Sequence, residues 1–266
     1  MIHSDNHVHT SFSSDSDTPM ERMLQEAIRQ GYSSICFTDH LDLDFPDMGN
    51  GMDFMLDIDA YRAEIKRLSA VYPDIEIRTG IEIGLKPDLA GRYREMLGPH
   101  PFDFIIGSTH LVDNMDPYYP EFWSLHTERD GVRRYYEITL DNIRSGIDFD
   151  VYGHLDYIVR YVPSKTSFRM ECMDYIDEIL RELISRGKGL ECNTAGIKYG
   201  LPHPNPCPVV LQRYRELGGE IITIGADGHR PEHFAYAFDR VADILKGAGF
   251  TRYAEFHHRS PVWFDL

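Results

Sequence analysis

The 266-residue sequence predicts an α/β fold in which one barrel of parallel strands is wrapped by helices, and three observations point there. The length is close to that of one α/β barrel. Short apolar extended runs alternate with amphipathic segments, the pattern of successive parallel βα units. The extended runs end again and again in His, Asp or Glu beside a small residue, and barrels of this kind collect their chemistry at the carboxyl ends of strands. No Gly/Ser or Pro-rich linker, low-complexity tract or internal repeat divides the chain, so residues 1–266 are expected to form one domain.

The first strand is expected over Ser4 to Val8 and runs into His7-Val8-His9. Residues i and i+2 of an extended backbone share a face, so these two imidazoles make a divalent-metal clamp. Thr18-Pro19-Met20-Glu21 reads as a capping-box helix start with Pro at the first helical position, and Gly31 ends that helix. Further strands are expected over Ser34 to Thr38, Ile75 to Ile83, Phe102 to Ser108, Phe149 to Gly153, Gly189 to Asn193 and Glu220 to Gly225. Between and after them, Asp57 to Val71, Val132 to Arg144, Met170 to Arg186, Val209 to Leu217 and Phe234 to Lys246 carry apolar residues at helical spacing, as an outer layer would.

The strand endings read, in order, His7-Val8-His9, Thr38-Asp39-His40, Gly80-Ile81-Glu82-Ile83-Gly84, Ser108-Thr109-His110, Gly153-His154-Leu155-Asp156, Glu191-Cys192-Asn193-Thr194 and Ala226-Asp227-Gly228-His229. Six of the seven offer ligands of metal-binding type. One such ending is weak evidence, because a lone His after a strand is more often a satisfied loop residue. Six in register are hard to obtain by chance.

Composition narrows the function. A formal charge of −16 disfavours a protein that tracks nucleic acid backbones. It leaves room for a small phosphorylated substrate, since about three divalent cations bring about +6 locally and invert the potential of one pocket. The four cysteines form no CxxC pair, so any metal site is not thiolate. The start of the chain lacks the pattern of a signal peptide, and no run of about 18 apolar residues occurs; the expectation is a soluble, cytoplasmic protein without a membrane partner.

Taken jointly, the HxH opening, the TDH, the Gly-Ile-Glu, the Ser-Thr-His, the Gly-His-Leu-Asp and the closing Ala-Asp-Gly-His resemble the polymerase-and-histidinol-phosphatase (PHP) superfamily over residues 7 to about 229. The resemblance implies a distorted (β/α)7, TIM-like barrel with two to three divalent ions, Zn, Mn or Fe, at its mouth. By the same resemblance His7, His9, Glu82 and Asp227 would hold one ion, Glu82 with His110 and His154 a second, and Asp15, His40 and His229 a third. Asp15 stands where many members carry His. Asp39 and Asp156, beside ligands, either orient imidazoles or serve as caps.

Two cations bridged by a carboxylate acidify a shared water for attack on phosphorus, which implies a phosphomonoesterase with Glu82, Asp227 and His229 as catalytic residues. Arg160 matches a phosphate-contacting position, and Lys198 falls where relatives often carry Arg. Segments such as Ser34-Ile35-Cys36-Phe37-Thr38-Asp39-His40 and Gly153-His154-Leu155-Asp156-Tyr157 resemble the histidinol-phosphatase branch of the superfamily, implying L-histidinol phosphate as substrate and a place in histidine biosynthesis. The alternatives are another small phosphate ester such as a nucleotide, or a metal-binding protein without catalysis.

The loops say less. Leu111 to Arg129, with Tyr118, Tyr119, Phe122 and Trp123, forms either a wall of the pocket or a packed surface loop, and Asp42 to Asp57 is equally ambiguous. His203 is either a leaving-group acid or part of a turn. His3, His100, His126, His233, His257 and His258 have no assigned role, and oligomeric state is not legible.

Overall fold

The protein is described by a computed structural model over residues 2–49 and 51–266; Met1 and Asn50 lie outside the described residues. Strand β1 (Ser4–Val8) is buried along its whole length. Helix α1 (Met20–Arg29) buries Met20, Met23, Leu24 and Ala27, the i, i+3, i+4 stripe that its amphipathic spacing demands. Its start is not a capping box. Pro19 is the N-cap and no side chain caps it; the Thr18 hydroxyl donates instead to the His229 carbonyl at 3.0 Å, and Glu21 accepts from Tyr72 and Arg67.

Strand β2 (Ser34–Phe37) and the two-residue β3 (His40–Leu41) follow. Helix α2 (Ile58–Val71) is capped by Asp57, which accepts from the Ala60 N–H at 3.0 Å. Strand β4 (Glu76–Gly84), helix α3 (Ala90–Leu97), strand β5 (Phe104–Ser108) and the short α4 (Pro120–Leu125) lead to α5 (Glu128–Arg144). That helix begins a turn before the expected Val132, because Thr127 caps a polar first turn that carries no apolar periodicity. Next come β6 (Val151–Tyr152), α6 (Met173–Ser185), β7 (Gly189–Asn193), α7 (Ala195–Lys198), α8 (Pro208–Glu216) and β8 (Ile222–Gly225). Helix α9 (Phe238–Gly247) starts later than the expected Phe234, since Ala235 and Ala237 adopt φ of 51° and 57° and break the helical path.

The sheet order is β1-β2-β4-β5-β6-β7-β8, every pairing parallel, with β3 added to β4. These seven strands form a near-closed barrel with the expected number of βα units. Its seam lies between β8 and β1, where one bridge, Val8 to Gly228, replaces a ladder. Side chains fill the gap: Asn6 donates to the Ile224 carbonyl at 3.0 Å, and Asp5 accepts from the backbone N–H groups of Ala226 and Ala235, each at 2.9 Å. Substituting side-chain bonds for ladder bonds is the distortion, and it satisfies backbone groups that burial would otherwise strand.

A C-terminal hairpin, β9 (Arg252–His257) and β10 (Ser260–Asp265), was not anticipated from the alternation. It plugs the amino ends of the strands. Ala254 and Phe256 pack with Cys36, Phe104, Ile106 and Val151 in a second small core inside the barrel. Arg78 of β4, fully buried, ties the plug on: it bonds Ser4, Asn6 and Ser34, the Phe256 carbonyl, and Glu255 at 2.9 Å. The helices cover the outside of the sheet through the main core. Among the described residues no helix is long and apolar enough to cross a membrane.

Removing one partner of a buried ion pair strands the other charge, so Arg78→Met is expected to lower stability by about 3–5 kcal/mol. Denaturant unfolding of Arg78→Met beside Arg78→Met/Glu255→Leu checks this: the double variant should recover part of the loss, and equal stabilities of wild type and the single variant would contradict the role of the plug.

Candidate metal centre

Glu82 sits near the carboxyl end of β4, two positions inward-facing from Gly80 and four from Arg78, so alternation sends its carboxylate into the barrel mouth. There it meets five imidazoles. Oε1 lies 2.9 Å from His154 Nε2 and 3.3 Å from His110 Nε2. Oε2 lies 3.1 Å from His7 Nε2, 3.4 Å from His9 Nε2 and 3.2 Å from His40 Nδ1. The two oxygens therefore face two separate sets of nitrogens.

Asp227, in the turn after β8 at φ 54°, faces His9 at 3.5 Å, His229 at 3.6 Å and His7 at 3.9 Å. Asp15 faces His229 at 3.0 Å and His40 at 3.7 Å. All nine ligand candidates named from the sequence thus converge on one place: His7, His9, Asp15, His40, Glu82, His110, His154, Asp227 and His229. Close packing needs room beneath, and a Cβ on Gly225 would collide with His7 Cβ, while one on Gly84 would lie 2.5 Å from the Asp42 carboxylate.

Four of the six rings, those of His7, His9, His110 and His229, are aimed by a bond on the far side. Glu191 takes His7 Nδ1 at 2.6 Å and Asp42 takes His110 Nδ1 at 2.5 Å. Ser13 lies 3.3 Å from His9 Nδ1, and the Asp227 carbonyl 3.1 Å from His229 Nδ1. Carboxylate–histidine bonds of this kind fix the tautomer and leave the other nitrogen for a cation. Asp39 and Asp156 do not do this. Asp39 accepts from the Thr10 N–H and the Ser13 hydroxyl, and Asp156 binds Asn205 and Arg169, so both are structural. Asp42 and Glu191 were missed as orienting groups. A signal for Asp42 existed: His40-Leu41-Asp42 repeats the i, i+2 spacing of the opening HxH.

Burial opposes charge throughout, but the nearby imidazoles outweigh it and hold the Glu82 carboxyl well below the carboxylate range. Asp227 is held down in the same way, with Arg160 and Lys198 adding to His7. Burial, reinforced by His229 and His40, pushes His9 well below its usual value, and burial also lowers His154. The neighbouring carboxylates in turn hold His7 and His110 well above, and His229 above, the usual imidazole value, so a cation taking these nitrogens would displace protons from them.

The donor set fits divalent ions. Nitrogen and carboxylate oxygen are both present and sulfur is absent, as suits Zn, Mn or Fe. Among the described residues, buried His9 Nε2, His40 Nδ1, His154 Nδ1 and His229 Nε2 have no hydrogen-bond partner. His7–His9–Glu82, Glu82–His110–His154 and His9–His40–His229 each bring ligand atoms within 4.8 Å of one another.

Above the ligands opens a cleft of about 390 Å³. Arg160 and Lys198 line it, yet both are engaged: Arg160 bonds Asp227 at 3.2 Å, Asn205 and Asn193, and Lys198 donates to the Asp227 carbonyl at 2.7 Å. Arg230 and His233, given no role from the sequence, line it too. The 111–129 segment divides, with Asp116, Tyr118 and Tyr119 forming wall while Phe122 and Trp123 pack inward. Burial pushes the Asp116 carboxyl up to about 6. From the other ambiguous loop Asp42, Phe45, Met52 and Phe54 reach the cleft. His203 is the turn residue, bonded to the Pro204 carbonyl and near Arg169.

Comparison with known proteins agrees with this geometry. The family profile described as "PHP domain" matches residues 5–195. The chain is similar to a histidinol-phosphatase of Lactococcus lactis subsp. lactis, 34% identical over 95% of this chain and 93% of that protein. It is also similar to a probable histidinol-phosphatase of Clostridium acetobutylicum, 28% identical over 98% and 96%. Among solved structures it resembles the Lactococcus lactis histidinol phosphate phosphatase complexed with Zn, L-histidinol and phosphate, with TM-score 0.88, 32% identity, and coverage of 97% and 98%. A barrel mouth lined by His and carboxylate ligands, together with a profile and a relative that span most of the sequence, makes this chain a member of the PHP domain family.

Proposed function

We propose that the protein is a metal-dependent phosphomonoesterase that hydrolyses L-histidinol phosphate, working as one domain over residues 1–266 in the cytoplasm as part of histidine biosynthesis. The observation that carries the reading is the Glu82 carboxylate, whose two oxygens face two different sets of imidazoles under a cleft that also presents Arg160 and Lys198. Relatives 34% and 28% identical to this chain are named histidinol-phosphatase and probable histidinol-phosphatase. The four cysteines, all buried free thiols, suit a reducing compartment.

His7, His9, Glu82, Asp227, His110 and His154, and Asp15, His40 and His229, would hold divalent cations, which when bound would supply Lewis acidity and bring the pKa of water near neutrality. The chain's own residues do the rest. Glu191 and Asp42 keep His7 and His110 pointed inward, so the ligands need no reorganisation during the reaction. Arg160 presents a planar fork to a phosphate group, and Lys198 a point charge whose burial lowers its pKa. Tyr157, Tyr161 and Tyr199 line the cleft around the Arg160 guanidinium, with Tyr157 and Tyr199 rings 5.3 and 5.2 Å from it, and they limit water beside the phosphate. His229, 17% exposed and next to the cleft, is committed through Nδ1 to the Asp227 carbonyl and through Nε2 to the Asp15 side, so it would act as a ligand of the third cation.

Phosphate release across a panel of esters tests the assignment: L-histidinol phosphate should be turned over faster than phenyl phosphate or a mononucleotide, and a preference for the nucleotide would replace it with the wider phosphoesterase reading. Glu82→Gln should cut kcat at least about 100-fold and reduce bound metal per chain, with the circular dichroism spectrum unchanged. Near wild-type turnover would refute the bridging role. Arg160→Ala should lower kcat/KM by about 10- to 100-fold for the folded fraction, and an unchanged value would remove Arg160 from the site. Dialysis against a chelator should lower Tm, and zinc at about 100 times its Kd should restore about 2.7 kcal/mol; a Tm indifferent to zinc would argue against the centre.

A further inference from the structure

Asn193, the last residue of β7, and Asn205 face each other across an isolated bridge and exchange backbone hydrogen bonds of 2.8 Å in both directions. Both side chains are fully buried, and both aim an amide oxygen at Arg160: Asn205 takes Nε at 2.8 Å and Asn193 takes Nη2 at 3.1 Å. The far end of each amide dictates which atom meets the arginine, because Asn205 Nδ2 donates to the carbonyl and carboxylate of Asp156, and Asn193 Nδ2 to Glu191 Oε2 at 3.0 Å. A flipped amide would set N–H against N–H.

This cradle is electrically neutral. Amide oxygens orient a guanidinium without cancelling its charge, so among the described residues Asp227, at 3.2 Å, is the one carboxylate bonded to Arg160. The three bonds take one N–H each and leave further N–H groups of the guanidinium for an anion. Asn193 also joins Arg160 to the imidazole cluster. Its partner Glu191 takes His7 Nδ1 at 2.6 Å through Oε1 and, through Oε2, accepts at 2.9 Å the backbone N–H of His154, a residue held at φ 21°. Asn193 Oδ1 accepts the Ala195 N–H at 2.9 Å as well, at the start of the α7 turn that ends in Lys198. One buried amide thus stands between both cationic side chains of the cleft and two of the imidazoles.

We propose that Asn193 is a positioning residue for phosphate binding: its amide sets the Arg160 guanidinium against the imidazole cluster and keeps it oriented and charged. The inference rests on the phosphomonoesterase reading, in which Arg160 meets the substrate phosphate. It adds to the site a residue that acts only through another.

Steady-state kinetics on L-histidinol phosphate, with product inhibition by inorganic phosphate, test it in wild type, Asn193→Ala, Asn193→Ser, Arg160→Ala and the Asn193→Ala/Arg160→Ala double variant. Asn193→Ala should lower kcat/KM roughly 10-fold, mostly through KM, and weaken phosphate inhibition by a similar factor, with bound zinc per chain unchanged. Asn193→Ser keeps an oxygen for the Ala195 N–H but is too short for Arg160, so it should lose as much. In the Arg160→Ala background the Asn193→Ala change should cost less than about 2-fold, because nothing is left to position. Full additivity, an Asn193→Ser variant with wild-type kinetics, or a loss of bound zinc in place of phosphate affinity overturns the role of Asn193 and leaves the function standing. If Arg160→Ala alone alters neither kcat/KM nor phosphate inhibition, the placing of phosphate at Arg160 fails first and this inference with it. Thermal unfolding of each variant gives the folded fraction to which the rates are normalised.

Discussion

A single buried carboxylate organises this protein. Glu82 is fully enclosed, and a carboxylate taken out of water costs several kcal/mol unless it is compensated. The compensation is five imidazoles delivered by β1, β3 and the turns after β5 and β6. No two neighbouring strands could supply them all, so the barrel must be nearly closed for the charge to be tolerated. The same geometry that settles the charge also leaves inward-facing nitrogens that suit cations.

That demand propagates outward in layers. Imidazoles that point inward need partners behind them, which brings Glu191, Asp42 and Ser13 into buried positions. Those partners need space, which Gly225 and Gly84 provide by having no Cβ. Below, Arg78 occupies the same face of β4 as Glu82 and carries the opposite sign, and the hairpin exists to bury and bond it. One strand thus carries the anion at the centre of the imidazole cluster at its top and a structural cation at its bottom, both fixed by period-2 alternation.

The seam between β8 and β1 shows how the barrel reaches closure without a full ladder. Asp5 and Asn6 bond backbone groups of β8 and the segments after it, which brings the HxH of β1 against the Asp227 turn. His9 and Asp227, 3.5 Å apart at the barrel mouth, are therefore brought together by side chains outside the cluster. The cleft above inherits a polarity from its two walls: cations from the segments after β6 and β7, and a carboxylate with tyrosines from the segment after β5.

Much of this was legible in the chain alone. Strand periodicity placed the seven strands, and the residues that end them include eight of the nine side chains that converge, because alternation and the position after a parallel strand are local properties, while Asp15, in the loop after β1, was legible only from the family resemblance. Helix cores were legible for the same reason; their ends were not, since Thr127 caps a turn without apolar residues and Ala235 and Ala237 take backbone angles no pattern announces. Only tertiary structure decided the partners. Whether Asp39 or Asp42 backs an imidazole depends on which way a two-residue extension of the sheet turns, and Asp42, not the more conspicuous Asp39, reaches His110. That Thr18 binds the His229 carbonyl in place of capping its helix and that Arg78 meets Glu255 across 177 positions are distances between remote segments. Composition and period fix what a residue offers and which face it occupies, while the packing of distant elements determines what stands opposite.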